Sequence, residues 1–129
     1  MIVDSSAVVA IVLGEPDAES LLARLTRAET PVRVSAANLV EASIVVEARQ
    51  GSDAARDLQL LLTGLGAEVV PVTEEQAGLA VAAWRRFGKG RHPAALNLGD
   101  CFAYALARAT GEPLLFKGDD FAQTDVPTG

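Results

Sequence analysis

Three carboxylates stand where a carboxylate is costly. Asp4 follows the apolar pair Ile2-Val3 and precedes Ala7-Val8-Val9; Glu41 is set in Leu39-Val-Glu-Ala-Ser-Ile-Val-Val46; Asp100 is set in Leu98-Gly-Asp-Cys-Phe-Ala103. A charge in an apolar stretch is unfavourable unless it is paired, hydrogen-bonded or bound to a cation. No Lys or Arg lies within five residues of Asp4 or Glu41. Taken singly, each acid also reads as a buried ion pair or a helix cap, and Asp100 can simply extend the cap Asn97-Leu-Gly-Asp100. Taken together, and with Asp119 and Asp120 after a late apolar segment, they are acids that would repel one another without a cation. Oxygen donors with no His or Cys cluster favour a hard ion, Mg²⁺ or Mn²⁺, over zinc. The other acids, among them Glu15, Asp17, Glu68 and Glu112, fall at expected caps, first turns or loops, where solvation is the default.

The elements that must carry these acids follow from pattern and punctuation. Ile2-Val3 reads as the end of a buried strand stopping at Asp4, with Ser5-Ser6 as the cap of a short helix through Ala7–Leu13. Helices are expected from Asp17 to about Ala28, from Ser35 to Gly51 and from Ser52 to about Leu65. Glu68–Val72 reads as a strand ending near Pro71. Thr73-Glu-Glu-Gln76 is a capping box opening a helix to about Phe87. Asn97 opens another to Gly111, Pro113–Phe116 is a last clear strand, and Val126-Pro127 can add an edge strand. Short apolar strands alternating with helices indicate an α/β fold with a mainly parallel sheet. In such sheets, sites form beyond the carboxyl ends of the strands, where Asp4, Asp119 and Asp120 stand.

Length and composition set the bounds. At 129 residues, a single domain spanning residues 1–129 is expected, with enough core to need no staples. Half the residues are hydrophobic and 22% are charged, which excludes a disordered chain. The net charge of −6 argues against nucleic-acid binding by bulk electrostatics, and six aromatic residues are few for a base-stacking platform. The lone Cys101 can form no internal disulfide, which suits a reducing cytoplasm. Met1-Ile-Val-Asp4 has no basic n-region, and no apolar run approaches a membrane span, so neither a secretory signal nor a membrane anchor is expected.

At this point the motifs take on a family likeness. Met1-Ile-Val-Asp-Ser-Ser-Ala7, Asn-Leu-Val-Glu-Ala-Ser around Glu41, Leu-Gly-Asp-Cys-Phe-Ala-Tyr-Ala-Leu-Ala around Asp100 and Leu-Leu-Phe-Lys-Gly-Asp-Asp-Phe around Asp119 and Asp120 resemble the four acidic motifs of PIN-domain ribonucleases. The likeness runs from Met1 to about Asp125 and is greatest to the VapC toxins of type II toxin–antitoxin systems. It implies a three-layer α/β/α sandwich on a mainly parallel sheet, Mg²⁺-dependent RNA cleavage, a homodimer and inhibition by a VapB-type antitoxin. Asp4, Glu41 and Asp100 match the acids that hold or orient metal, with Asp4 and Asp100 as the metal ligands. Asp119 or Asp120 matches the fourth acid; Asp119 is favoured, with Asp120 fixing the loop. Ser6 matches a small hydroxyl residue that supports the site, and it is also a candidate helix cap. The acid chemistry suits phosphodiester hydrolysis, which must activate water, offset phosphoryl charge and stabilise a leaving 3′ oxygen.

From Gln76 to Gly99 there is no Asp or Glu, yet Arg85, Arg86, Lys89 and Arg91 all fall there. Cations at a helix end favour its dipole, but the stretch also offers phosphate contacts beside the Asp100 helix. Lys117 can add to it. His92, in a Gly/Pro-rich loop, reads as a loop residue rather than a general base. The helices Asp17–Ala28 and Ala36–Arg49 look more apolar than a monomer of this size needs unless the core absorbs them, and the resemblance to the toxins implies a dimer face and a groove for an antitoxin helix. Two enzyme rivals fit poorly. A haloacid-dehalogenase-type phosphatase wants Asp at position 6, which is Ser6; a receiver domain wants its Asp after a mid-chain strand, where Glu41 is helical. The rival of another class is a non-catalytic PIN scaffold that only binds protein.

Overall fold

In the computed structural model, which describes Met1–Gly129, the adjacent buried residues Ile2 and Val3 enter two different cores. They form strand β1 (Ile2–Val3), paired in parallel on one side with β2 (Arg33–Ser35) and on the other with β4 (Leu114–Leu115). Strand β3 (Glu68–Val70) pairs in parallel with β2, giving the order β3-β2-β1-β4. Side chains alternate across a sheet. Val3, Val34 and Leu115 therefore pack with α1 (Ser5–Val12), α2 (Ala18–Thr26), α3 (Ala36–Gln50) and α4 (Ser52–Gly64). Ile2 and Leu114 pack on the opposite face with α5 (Glu74–Phe87) and α6 (Leu98–Thr110). The result is the expected three-layer sandwich on a parallel sheet. None of its helices is long and apolar enough to cross a membrane.

Most expected elements lie within a few residues of their place; four points differ. β2 has no counterpart in the sequence reading, because three residues, Arg33, Val34 and Ser35, give no apolar run. Arg33 is nonetheless well held, bridging Glu68 at 3.2 Å and Glu112 at 3.0 Å. The cap of α1 is Asp4 itself, not Ser5 or Ser6: its Oδ2 accepts the Ser6 amide at 3.0 Å. Val126-Pro127 forms no strand; the chain end meets β4 through a single bridge between Leu114 and Thr128. Finally, the apolar faces of α2 and α3 are largely consumed by the core, where Leu21, Leu25, Ala42 and Val46 are buried. Val40 and Ile44 of α3 stay exposed, together with Val81 and Trp84 of α5 and Leu98 of α6.

Leu114 is fully buried at the β1–β4 pairing and is shared by sheet and helix layers. Leu114→Ala is expected to cost about 2–5 kcal/mol, read as a lowered urea midpoint with an unchanged slope.

Candidate active site

The carboxyl ends of β1 and β4, the start of α1, the middle of α3 and the start of α6 enclose a cleft of about 390 Å³. Its walls carry Asp4, Glu15, Glu41, Asp100 and Asp120, with Arg49 and Lys117. A second hollow of about 500 Å³ lies between α5 and α6 and is lined by Ala77, Val81, Trp84, Leu98 and Phe102 among others. That hollow is larger, but its lining is nearly all apolar, and the carboxylates belong to the first. Asn97 borders both.

Asp4 is almost completely buried. Its amide continues the sheet by donating to Leu115 O at 2.9 Å, and Oδ2 caps α1. The other oxygen, Oδ1, is buried without a hydrogen-bond partner. Burial, with a contribution from Glu41, pushes its pKa up to about 6 against the hydrogen bonds from Ser6 and Ser5. Glu41 reaches the cleft from α3, where Ser5 Oγ donates to its Oε1. One turn earlier, fully buried Asn38 donates Nδ2 to Gly99 O at 2.9 Å, so α3 and the start of α6 are tied beside the acids. Gly99 leaves room for Glu41: a Cβ there would overlap the Glu41 carboxylate.

Asp100 does extend the Asn97 cap. Asn97 N donates to Asp100 Oδ2 at 3.0 Å, and Asp100 N donates to Asn97 Oδ1 at 2.9 Å. The capping box uses one carboxylate oxygen and leaves Oδ1 free of protein donors, so cap and site acid are compatible roles. Burial first, then the charges of Asp4, Asp120 and Glu41, push its pKa up to about 7. The neighbouring Cys101 thiol is pushed up to about 11 by burial and by Asp100, which leaves it protonated and a poor metal ligand.

Of the two candidates for the fourth acid, the one on the cleft wall is Asp120 and not the favoured Asp119. Asp120, at the start of the 3₁₀ turn Asp120–Gln123, lines the cleft and acts electrostatically on Asp100; Asp119 precedes that turn and is absent from the lining. The turn sets which of two adjacent carboxylates faces inward, and sequence carries no trace of that choice. Ser6 supports the site through its hydroxyl, which accepts the Lys117 amide at 2.9 Å and joins α1 to the loop after β4.

The basic stretch is not gathered at the cleft. Arg86 is engaged by Asp125 at 3.0 Å, where Tyr104 also donates at 2.6 Å. Arg91 stacks over Trp84 at 4.2 Å, and Lys89 borders the apolar hollow. Arg85 is exposed at the end of α5. His92 Nδ1 accepts the Ala94 amide at 3.0 Å, and its ring packs edge-on against Phe87, so it organises its loop. Sequence reasoning passed over Ser5, Asn38, Arg49 and Gly99. Of these only Asn38 left a signal, a lone amide one turn before Glu41 in an apolar helix.

The donor set suits a hard cation. Asp4 presents an orphaned buried oxygen, Asp100 a second one free of protein donors, and in both burial disfavours the ionised form, which a positive ion would stabilise. No three His, Cys, Asp or Glu side chains are grouped to enclose an ion by themselves, so an ion on Asp4 and Asp100 would take its remaining ligands from water.

The raised values also have a stability consequence. Folded-state pKa values of about 6 for Asp4 and about 7 for Asp100 exceed the ordinary 3.8, so the folded protein retains protons that the unfolded chain has released. This contribution is complete below the ordinary value and is lost as pH rises through the two raised ones. Glu112 and Asp125, whose pKa values are lowered, are already ionised in both states over that window. In chelator-treated protein, the melting temperature is expected to fall from about pH 5 to about pH 8, and Asp100→Asn to flatten that fall.

Residues 1–127 match the PIN domain family. Over 127 residues the chain is 50% identical to a protein named ribonuclease VapC from Mycolicibacterium smegmatis, covering 98% of this chain and 97% of that one. The solved structure of Mycobacterium tuberculosis VapC20, described as a sarcin-ricin loop cleaving toxin, superposes with a TM-score of 0.80 at 18% identity over 97% of this chain and 95% of that one. A toxin–antitoxin complex from Klebsiella pneumoniae superposes with a TM-score of 0.71 at 17% identity, over 96% and 92% of the respective chains. At those identities the two structural likenesses are of fold.

Proposed function

The chain belongs to the PIN-domain family, in its VapC group, and from that premise we propose that it is a Mg²⁺-dependent endoribonuclease acting as the toxin of a toxin–antitoxin pair. The observation that carries this reading is the meeting of Asp4, Glu41 and Asp100 in one cleft, with two of them held well above the ordinary carboxylate range. Asp4 and Asp100 would hold the ion, with Mn²⁺ as a substitute. When bound, a hard divalent cation supplies water activation, charge compensation on the phosphoryl oxygens and stabilisation of the leaving 3′ oxygen. The chain's own residues do the placing. Ser5 fixes the Glu41 carboxylate, which orients the attacking water and accepts its proton. Asp120 is the fourth acid on this reading, and Asp119 remains the alternative. Ser5 ties α1 to α3, the Asn38–Gly99 contact ties α3 to α6, and Ser6 joins α1 to the loop after β4.

An acidic protein must still hold RNA. Arg85, Lys89 and Arg91 extend a contact surface along the edge of the α5–α6 layer, and Arg86 joins it where Asp125 leaves donors free. The exposed apolar set of Val40, Ile44, Val81, Trp84 and Leu98 supports a homodimer interface. A VapB-type antitoxin partner follows from the VapC kinship, since a nuclease with an open cleft endangers its own cell.

Purified protein is expected to cleave RNA with added Mg²⁺ and to stop on chelation. Asp4→Asn or Asp100→Asn is expected to lower the rate at least about a hundredfold with the fold intact by circular dichroism. Folded parent protein without metal-dependent cleavage would favour the non-catalytic scaffold instead. Gly99→Ala separates positioning from folding. The added methyl must displace the Glu41 carboxylate, a flexible end, so the melting temperature is expected to hold or rise slightly while cleavage falls about tenfold or more.

A further inference from the structure

The cations that reach the acid cleft are not those of the basic stretch Arg85–Arg91. Arg49, in the last turn of α3, and Lys117, just beyond β4, line it among five carboxylates. Both converge on Glu15, in the turn between α1 and α2. Lys117 Nζ donates to Glu15 Oε2, and Arg49 Nη1 stands 3.9 Å from Oε1. Lys117 is also 3.6 Å from Asp17.

These contacts hold the two side chains without satisfying them. At 3.9 Å the Arg49 pair is an ion pair and not a hydrogen bond. Arg49 is 61% exposed and Lys117 38%, so water screens both pairs and little is lost in exchanging Glu15 for another anion. The root of Lys117 is fixed, because its amide donates to Ser6 Oγ two residues from Asp4. A guanidinium fork with unused donors matches a phosphate bidentately, and an ammonium adds a point charge. An ion on Asp4 and Asp100 compensates only the phosphate being cleaved. The flanking phosphate must enter a cleft walled by acids, and Arg49 and Lys117 are the side chains there that can offset it.

Resting on the endoribonuclease reading, we propose that Arg49 and Lys117 form a two-point clamp for the RNA phosphate adjacent to the scissile one, held ready at the rim by Glu15. Glu15 acts as a positioning residue, and the incoming phosphate takes its place.

The test is the kinetics of purified protein on a fluorescent RNA oligonucleotide that the parent cleaves, measured across salt concentrations. Arg49→Gln and Lys117→Gln are each expected to raise KM about tenfold and to leave kcat within about twofold. Each is also expected to lower the slope of log KM against log salt by about one. Arg49→Lys, which keeps the charge but loses the fork, is expected to recover the salt slope and only part of KM. Glu15→Gln, which keeps both cations, is expected to retain the parent's salt slope. Parent-like KM and salt slope in both Gln variants, with a lowered melting temperature, would overturn the clamp and leave a structural ion pair. A folded parent that cleaves no RNA would overturn the endoribonuclease reading beneath it.

Discussion

Asp4 is the constraint around which the rest is arranged. It ends β1, caps α1 and leaves one buried oxygen unpartnered, so a single residue ties the sheet to the site. A carboxylate so placed resists ionisation, and Glu41 and Asp100 nearby make that resistance greater. The folded protein tolerates this because core burial on both faces of the sheet outweighs a local penalty of a few kcal/mol. Raised carboxylates gathered in one cleft are the arrangement on which the proposed function rests.

The surrounding polar contacts act on geometry more than on stability. Ser5 to Glu41, Asn38 to Gly99 O and the Asn97–Asp100 capping box each join two segments distant in sequence or fix a first turn. Together they hold acids from α1, α3 and α6 at one end of the sheet. The absence of a side chain at Gly99 belongs to the same design, since the space it leaves is filled by the Glu41 carboxylate. Tyr104 and Asp125 do comparable work farther off, anchoring the chain end with Arg86 and Arg108.

Charge is sorted by position and not by count. The chain is acidic overall, and its cation-rich segment decorates α5 and the loop after it. Arg49 and Lys117 come to the acids from outside that segment, from the end of α3 and the loop after β4. The apolar residues divide too: α2 buries Leu21 and Leu25, while α3, α4, α5 and α6 each leave a large apolar side chain at the surface. A basic run or an apolar helix in sequence therefore says that such a surface exists and leaves open where it lies.

What the sequence by itself determined is the character of the fold and of the acids. Strand and helix order could be read because apolar runs, caps and glycine stops are local signals, and the apolar neighbours of Asp4, Glu41 and Asp100 betrayed a shared burial. The tertiary structure decided what depends on packing between distant segments. β2 is defined by its pairing with β1 and β3, as the three residues Arg33–Ser35 have no pattern of their own. Asp120 rather than Asp119 lines the cleft because a 3₁₀ turn rotates one of two adjacent carboxylates inward. Asn38, Gly99 and Arg49 acquire their roles from atoms tens of residues away in the chain, and no local pattern encodes such a meeting.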